Sequence, residues 1–181
     1  DISNLTDITA TGDLALKGDF SDWEKLRGSG SIARLNLGLK GTPMTNREPI
    51  AVSIEGGSVA MERFQLAGLD SQASGEFTYH PGKSVKGSLD GKVDLQFLQP
   101  FIPGLDFGTG KVTIGLRVSG PPKRYELLGN LVLEEGVFRL TGLSDEFRQV
   151  QAQVSVSHDK LNVDTFEASV GGGKVQVQGD V

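Results

Sequence analysis

Cysteine is absent from the 181 residues, which excludes a disulfide framework and every metal site built on thiolates. It leaves the compartment open, since an exported protein can also do without disulfides. Histidine is nearly absent too. His80 and His158 each sit beside a turn residue, Pro81 and Asp159, with no second ligand at metal spacing, so solvated turn positions are expected and a zinc site is not. Aromatics make up 7% of the chain, with Trp23 alone of its kind, and they do not interleave with basic residues as a stacking platform for single-stranded nucleic acid would. A formal charge of -5 and a pI near 5.1 argue against any partner rich in phosphate.

Long apolar runs are missing as well. None exceeds roughly three residues, against the ~18 that a membrane-spanning helix needs. The first residues lack the basic-then-apolar pattern of a signal peptide. If the protein works in a cell envelope, its export signal or anchor is expected outside this segment. Asp1 opening in mid-pattern and Val181 closing just after a strand-like stretch fit a piece of a longer protein.

Catalytic signatures are equally scarce. No G-x-S-x-G elbow occurs. Gly28-Ser29-Gly30-Ser31-Ile32-Ala33 matches the dinucleotide fingerprint formally, but helix-like residues precede it and strand-like ones follow, the reverse of what that motif requires. Gly110-Lys111 and Gly173-Lys174 lack the Ser or Thr of a phosphate-binding loop. The carboxylate pairs Asp90 with Asp94 and Glu134 with Glu135 alternate with Leu89, Val93, Leu95 and Leu133, which puts most of them on an outer, solvated face and favours ordinary surface acids over a glycosidase dyad. The expectation is a non-catalytic chain with no metal and no cofactor.

What is present is glycine and alternation. Glycine supplies 25 of 181 residues, about twice the ordinary share. Leu35, Leu37 and Leu39 alternate with small or polar residues, and so do Val52 with Ile54, Val112 through Val118, and Val154 with Val156. Residues two apart share a face of a strand, so each stretch has one apolar side. Buried parallel strands would instead read as unbroken apolar runs. Turn signals at Gly12-Asp13, Gly56-Gly57, Pro81-Gly82, Gly120-Pro121 and Gly171-Gly172-Gly173 divide the chain into about sixteen strand candidates. One to three very short helices are expected, from three candidates. One follows the capping-box spacing of Ser21 and Glu24 and carries Trp23 and Leu26, one runs from Leu98 to Ile102 around Pro100, and a weaker one covers Ser144 to Phe147.

An internal repeat runs through the alternation. Gly12-x-Leu14-x-Leu16, Gly28-x-Gly30-x-Ile32 and Gly41-Thr42-Pro43 return about 79 residues later as Gly91-x-Val93-x-Leu95, Gly108-x-Gly110-x-Val112 and Gly120-Pro121-Pro122. Val52, Ile54, Val59, Met61 and Phe64 return as Val154, Val156, Leu161, Val163 and Phe166, now offset by 102. The growth in offset predicts one extra strand pair near Tyr125 to Leu140. Two polar residues separate Met61 from Phe64, and Val163 from Phe166, which predicts a β-bulge or a short bend at both places. The chain thus reads as a single unit over 1–181 with two repeats, about 12–80 and 91–181.

One-faced strands must hide their apolar sides. A two-sheet sandwich or a closed barrel does so, and so does a trough filled with acyl chains. At about 0.8 kcal/mol per buried methylene, one acyl chain gains on the order of 10 kcal/mol in such a trough. Composition fits all three.

A resemblance bears on the choice. Val118-Ser119-Gly120-Pro121-Pro122 leads to Leu128-Gly129-Asn130-Leu131-Val132-Leu133-Glu134-Glu135-Gly136-Val137-Phe138-Arg139-Leu140, a phrase that resembles the TamB and AsmA-like envelope proteins. Their usual sequel is similar to Leu161-x-Val163-x-x-Phe166 with Gly171-Gly172-Gly173-Lys174-Val175-x-Val177-x-Gly179. The similarity is clear from about Gly87 to Val181 and extends to the first half through the repeat. It implies an all-β, mostly antiparallel sheet curved into a U-shaped groove with an apolar interior. It also implies a periplasmic location in a Gram-negative bacterium, with an inner-membrane anchor outside this segment. The expected partners are phospholipid acyl chains and an outer-membrane barrel of the TamA or BamA type. The lining expected on this basis is Leu35, Leu37, Leu39, Val52, Ile54, Met61, Phe64, Ile114, Leu116, Leu131, Leu133, Val154, Val156, Val163, Phe166, Val175 and Val177, with Trp23, Leu26, Phe101 and Ile102 as caps or ordinary connector packing. A structural or adhesive β-domain with a closed core and no lipid is the alternative.

Overall fold

The structure is a computed structural model that describes residues 5–180 apart from 40, 41, 69, 100, 101, 103 and 159. Twelve strands form one antiparallel sheet: β1 (Leu5–Lys17), β2 (Arg27–Leu39), β3 (Thr42–Asn46), β4 (Ile50–Glu55), β5 (Ser58–Gly68), β6 (Ser71–His80), β7 (Ser84–Asp94), β8 (Leu105–Gly120), β9 (Glu126–Leu140), β10 (Phe147–Ser157), β11 (Lys160–Val170) and β12 (Gly173–Asp180). Each strand pairs with its sequence neighbours, so the chain is a meander with β1 and β12 at its edges. The one departure is at β3 and β4. Both pair with β2 and with β5 and run in the same direction, so they are two halves of one strand position broken at residues 47–49.

Asn46 closes that break. Its Oδ1 accepts from Leu35 N at 2.6 Å, while Nδ2 donates to Glu48 O at 2.8 Å and to the carbonyls of Ala33 and Ile32. An amide side chain carries both donor and acceptor, so it replaces the ladder bonds that the gap would leave unmade.

The strands are fewer and longer than the about sixteen that turn signals suggest. Gly12-Asp13 is not a turn but lies within β1, where Gly12 faces Ile32 beside a register shift. The other four turn signals fall at the junctions between strands, with Gly120 ending β8 and Gly173 opening β12. The expected bulges are present: the register shifts between Met61 and Phe64 on the β6 side of β5, and between Val163 and Phe166 on the β12 side of β11. The insertion near Tyr125 to Leu140 is a single strand, β9, and not a pair.

Among the described residues two very short helices form, within the expected number, but they differ from expectation in place. Trp23–Lys25 forms one turn of 3-10 helix, but its cap is Asp22, whose carboxylate accepts from Glu24 N at 3.1 Å, and not Ser21. The second, α1 (Leu95–Leu98), begins before the expected Leu98 because Asp94 caps it by accepting from Gln96 N at 3.0 Å, and because Ser71 Oγ accepts from Asp94 N. No helix forms at Ser144 to Phe147. That stretch is turn and bend leading into β10, where Phe147 stacks on Phe138 with ring centroids 5.0 Å apart.

Residues directly opposite in an antiparallel ladder share a face. One apolar face can therefore be followed across the whole sheet. Leu14 faces Gly30, Val52 faces Met61, Met61 faces Phe77, Gly75 faces Leu89, Leu89 faces Leu116, Ile114 faces Leu131, Val154 faces Val163, and Phe166 faces Val177. Large and absent side chains alternate across neighbouring strands. A Cβ added at Gly75 would come within 2.8 Å of the Phe64 ring, and one at Gly129 within 2.8 Å of Leu116 Cδ2. These glycines let a neighbour's side chain lie flat over the backbone.

Candidate functional site

The face is built from alternation alone, so its residues are read off strand by strand. Of the expected lining, Leu35 and Leu37 lie on β2, Val52 and Ile54 on β4, Met61 and Phe64 on β5, and Ile114 and Leu116 on β8. Leu131 and Leu133 lie on β9, Val154 and Val156 on β10, Val163 and Phe166 on β11, and Val175 and Val177 on β12. The ladder registers bring all of these to one side of the sheet. Leu39 ends β2, and its side chain lies outside the described residues, as does Phe101. Ile54, Ile114 and Val156 are buried, Val177 at the edge is exposed, and the rest are half-buried.

At one set of strand ends this face is covered. Leu95 and Phe97 of α1 join Val93, Val112, Ile114, Leu66 and Met44 in a buried cluster, with Leu131, Leu133 and Phe138 packed against it. Further along, Phe138, Phe147 and Phe166 make a three-ring group with centroids 5.0 to 6.3 Å apart. At the opposite strand ends the covering is the connector before β2. Leu26 is buried there, and Trp23 donates from Nε1 to Gly57 O at 2.6 Å. Leu35, Leu37, Phe64, Leu89 and Leu116 also pack against the α1 cluster, and beyond them solvent reaches the face. Phe77 and Tyr79, on the interior strand β6, are 40% and 36% exposed. Ile102 is exposed and belongs to neither cover.

The opposite face is polar. Lys92 pairs with Glu134 at 3.2 Å and Lys111 with Asp94 at 3.7 Å, in partly or largely exposed pairs that contribute at most about 1 kcal/mol each. Asp90 and Glu134 point outward as expected, Asp94 serves as a helix cap, and Glu135 holds φ 51° at a bulge. A concavity of about 1070 Å³ is lined by Glu135, Asp145, Glu146, Arg148, Gln149 and their neighbours. Its charge does not suit a hydrocarbon. Near the connector, the hydrogen bond from Lys83 holds the Glu24 carboxyl below its ordinary range, and the Ser21 hydroxyl does the same for Asp19. His80 ends β6 with Nδ1 bonded to Ser58 Oγ, and His158 lies in the turn after β10. Among the described residues no three His, Asp or Glu side chains form a metal-binding group, and no helix is long and apolar enough to cross a membrane.

Sequence reasoning missed several members of the face. Phe77 and Tyr79 continue Gly75 at period two, but Gln, Ser and Thr around them hide the pattern. Leu95 and Phe97 continue the alternation of Val93 in the sequence but belong to a helix, so period two gives no sign that they cover the face. No protein-family model matches the chain, and neither a curated protein nor a solved structure matches it.

Proposed function

We propose that this chain is a segment of a β-groove that shields or conducts phospholipid acyl chains between the inner and outer membranes, in the manner of the TamB and AsmA-like proteins it resembles. The observation that carries this reading is the solvent exposure of Phe77 and Tyr79 on an interior strand. Their side of the sheet is apolar from β1 to β12, and apolar side chains in that number call for an occupant. The bulges within β5 and β11 support a bent sheet, since an extra residue on one strand bends it locally. The groove acts by presenting a continuous hydrocarbon floor and fixes no head group, so no catalytic residue is required. The same reading puts the chain in the periplasm, anchored to the inner membrane through a segment outside this sequence, with an outer-membrane barrel of the TamA or BamA type as its assembly partner.

The covered cluster around α1 favours the second reading, a β-domain whose core is closed by its own side chains. The two are separated at Leu116, which lies opposite Leu89 on the apolar face. With photoactivatable phospholipid, Leu116→Arg in a groove abolishes lipid crosslinking and leaves a folded protein by circular dichroism. In a closed core the same change unfolds the chain, because a buried unpaired charge is costly. Unfolding of Leu116→Arg, together with a lipid-free extract of the purified wild-type chain, rejects the groove.

A further inference from the structure

Two neighbouring hairpin ends in the interior of the sheet carry the same gradient of polarity. On β6, Phe77 is followed two residues later by Tyr79, and the turn after the strand carries Lys83. Read backwards, β9 has Leu127, and the turn before it carries Tyr125, then Arg124 and Lys123. Because β7 and β8 lie between these two strands, the matching steps form rows across the sheet. In the first row Met61 faces Phe77, Phe77 faces Gly87, Gly87 faces Val118 and Val118 faces Leu127. One step nearer the turns, Val59 faces Tyr79, Tyr79 faces Val85 and Val85 faces Gly120. Tyr125 comes next in that second row. It lies one residue beyond the Ser119–Glu126 pair, and a Cβ added at Gly120 would be 3.4 Å from its Cα. The first row is apolar, the second carries two phenols, and the turns beyond it are cationic.

The cations of these two turns are held differently. Lys83 is tied to Glu24 at 2.8 Å. Among the described residues Lys123 and Arg124 have no ion-pair partner, and the adjacent Glu126 lies on the polar side, opposite Ser119. Two prolines, Pro121 and Pro122, and a bond of 2.8 Å from Arg124 N to Pro121 O hold the backbone of that turn. At the other ends of β8 and β9 the situation is reversed. There α1 covers the face, and Lys111 and Arg139 are paired with Asp94 and Asp106. Open floor and unpaired cations therefore meet at the Tyr125 end.

A hydrocarbon tail is complementary to the first row, and an anion at the end of that tail is complementary to Lys123 and Arg124. Tyrosine suits the boundary between them, because its ring is apolar and its hydroxyl polar. Tyr125 is 50% exposed and Tyr79 36%, so both are open to such a ligand. We infer that the rim around Tyr79 and Tyr125 is a head-group subsite, and that its ligand is a phospholipid whose head group carries net negative charge. The tail lies over Phe77, Val118 and Leu127, and the phosphate beside Lys123 and Arg124. This rests on the groove reading above and adds to it a preference for charge that the floor itself does not have. Both cations are exposed, so the preference is modest and is screened by salt.

The test compares lysophosphatidylglycerol with lysophosphatidylcholine of the same acyl length, each below its critical micelle concentration, in NMR titrations of the isotope-labelled chain. Both are expected to shift the amides of Gly87, Val118 and Leu127, and the anionic lipid should bind about fivefold tighter at low salt. Lys123→Glu combined with Arg124→Glu should invert that preference and leave lysophosphatidylcholine binding unchanged. Should that variant fold poorly by circular dichroism, Lys123→Gln with Arg124→Gln should remove the preference without inverting it. Phe77→Ala should weaken both lipids alike. Equal affinity for the two head groups, or a preference that survives the double variants, overturns the subsite and leaves the groove standing. Glycerol phosphate binding as tightly as the lysolipid also overturns it, since the site would then be one for free phosphate. If neither lysolipid binds, the groove reading fails and the subsite falls with it.

Discussion

Two stretches of the same apolar face are held in different ways. Beneath α1, Val93, Val112, Leu95 and Phe97 are 3 to 5% exposed and touch one another. Around Phe77 and Tyr79 the face has the same alternation and the same glycine spacing, yet its rings meet solvent. The difference does not lie in the strands. It lies in a four-residue helix, placed by the Asp94 cap and by Gln99, whose side-chain amide donates to Leu105 O and Asp106 O across the loop. A helix this short is not stable in isolation, so its apolar side chains hold it as much as it covers them. The sheet is a uniform floor, and what lies over it decides where the molecule is a core and where it is a surface.

The comparison is broken most directly at Phe97. Phe97→Ala removes a ring from the covered cluster and is expected to cost about 3–5 kcal/mol in urea unfolding. A loss below about 1 kcal/mol would mean that the helix rests on the face without closing it. A smaller effect is expected at Asn46, which lies opposite Leu66 within the same covered region. Asn46→Ala leaves the ladder gap between β3 and β4 without its substitute bonds and should cost about 2 kcal/mol by the same measurement. Faster amide exchange at Leu35, whose N–H it accepts, identifies the cause.

Legibility in the sequence divides along the same line. The floor was readable, because period two is a property of each strand by itself: Val52 with Ile54 and Val154 with Val156 each announce a face without reference to any neighbour. The bulges were readable for the same reason, since the parity break between Met61 and Phe64 is local and recurs between Val163 and Phe166. The covers were not. Leu95 continues the alternation of Val93 as though the strand went on, and only the fit of Asp94 to Gln96 N and to Ser71 Oγ ends it there. Gly12-Asp13 has the composition of a turn, and only pairing with Ile32 and Ser31 keeps it extended. Cap and pairing both depend on a partner remote from the residue itself, and one sequence does not display that partner. The groove lining inherited this limit: alternation places a side chain on a face but carries no information about what lies above it.

On the open stretch the expected losses are smaller still. Phe77→Ala and Tyr79→Ala should each change stability by no more than about 1 kcal/mol, since a ring already in contact with solvent has less burial to lose. If the face takes acyl chains, both should lower the amount of co-purified phospholipid measured by mass spectrometry. Loss of stability comparable to that of Phe97→Ala would place these rings in a closed core and remove the distinction between the two stretches.

The smallest effect is expected where the connector is tied across the strand ends. Glu24 receives a hydrogen bond of 2.8 Å from Lys83, in the turn after β6, and that bond together with the charge of Lys83 lowers its pKa. A carboxyl whose folded pKa is depressed adds stability above its unfolded pKa and loses it as pH falls through the folded one. The contribution is therefore full at neutral pH and disappears on acidification below the ordinary glutamate range. Both side chains are mostly exposed, so salt and solvent screen the pair, and Glu24→Gln should leave the urea midpoint at neutral pH almost unmoved. The informative variant is Lys83→Ala, which should raise the Glu24 pKa towards its ordinary value in a carboxyl-carbon NMR titration. Trp23, the only indole, next to Glu24 and bonded to Gly57 O, reports whether the connector itself moves. An unchanged Glu24 titration in Lys83→Ala would show that the ion pair does not hold the connector in solution, and that the buried Leu26 and the indole hydrogen bond place it unaided.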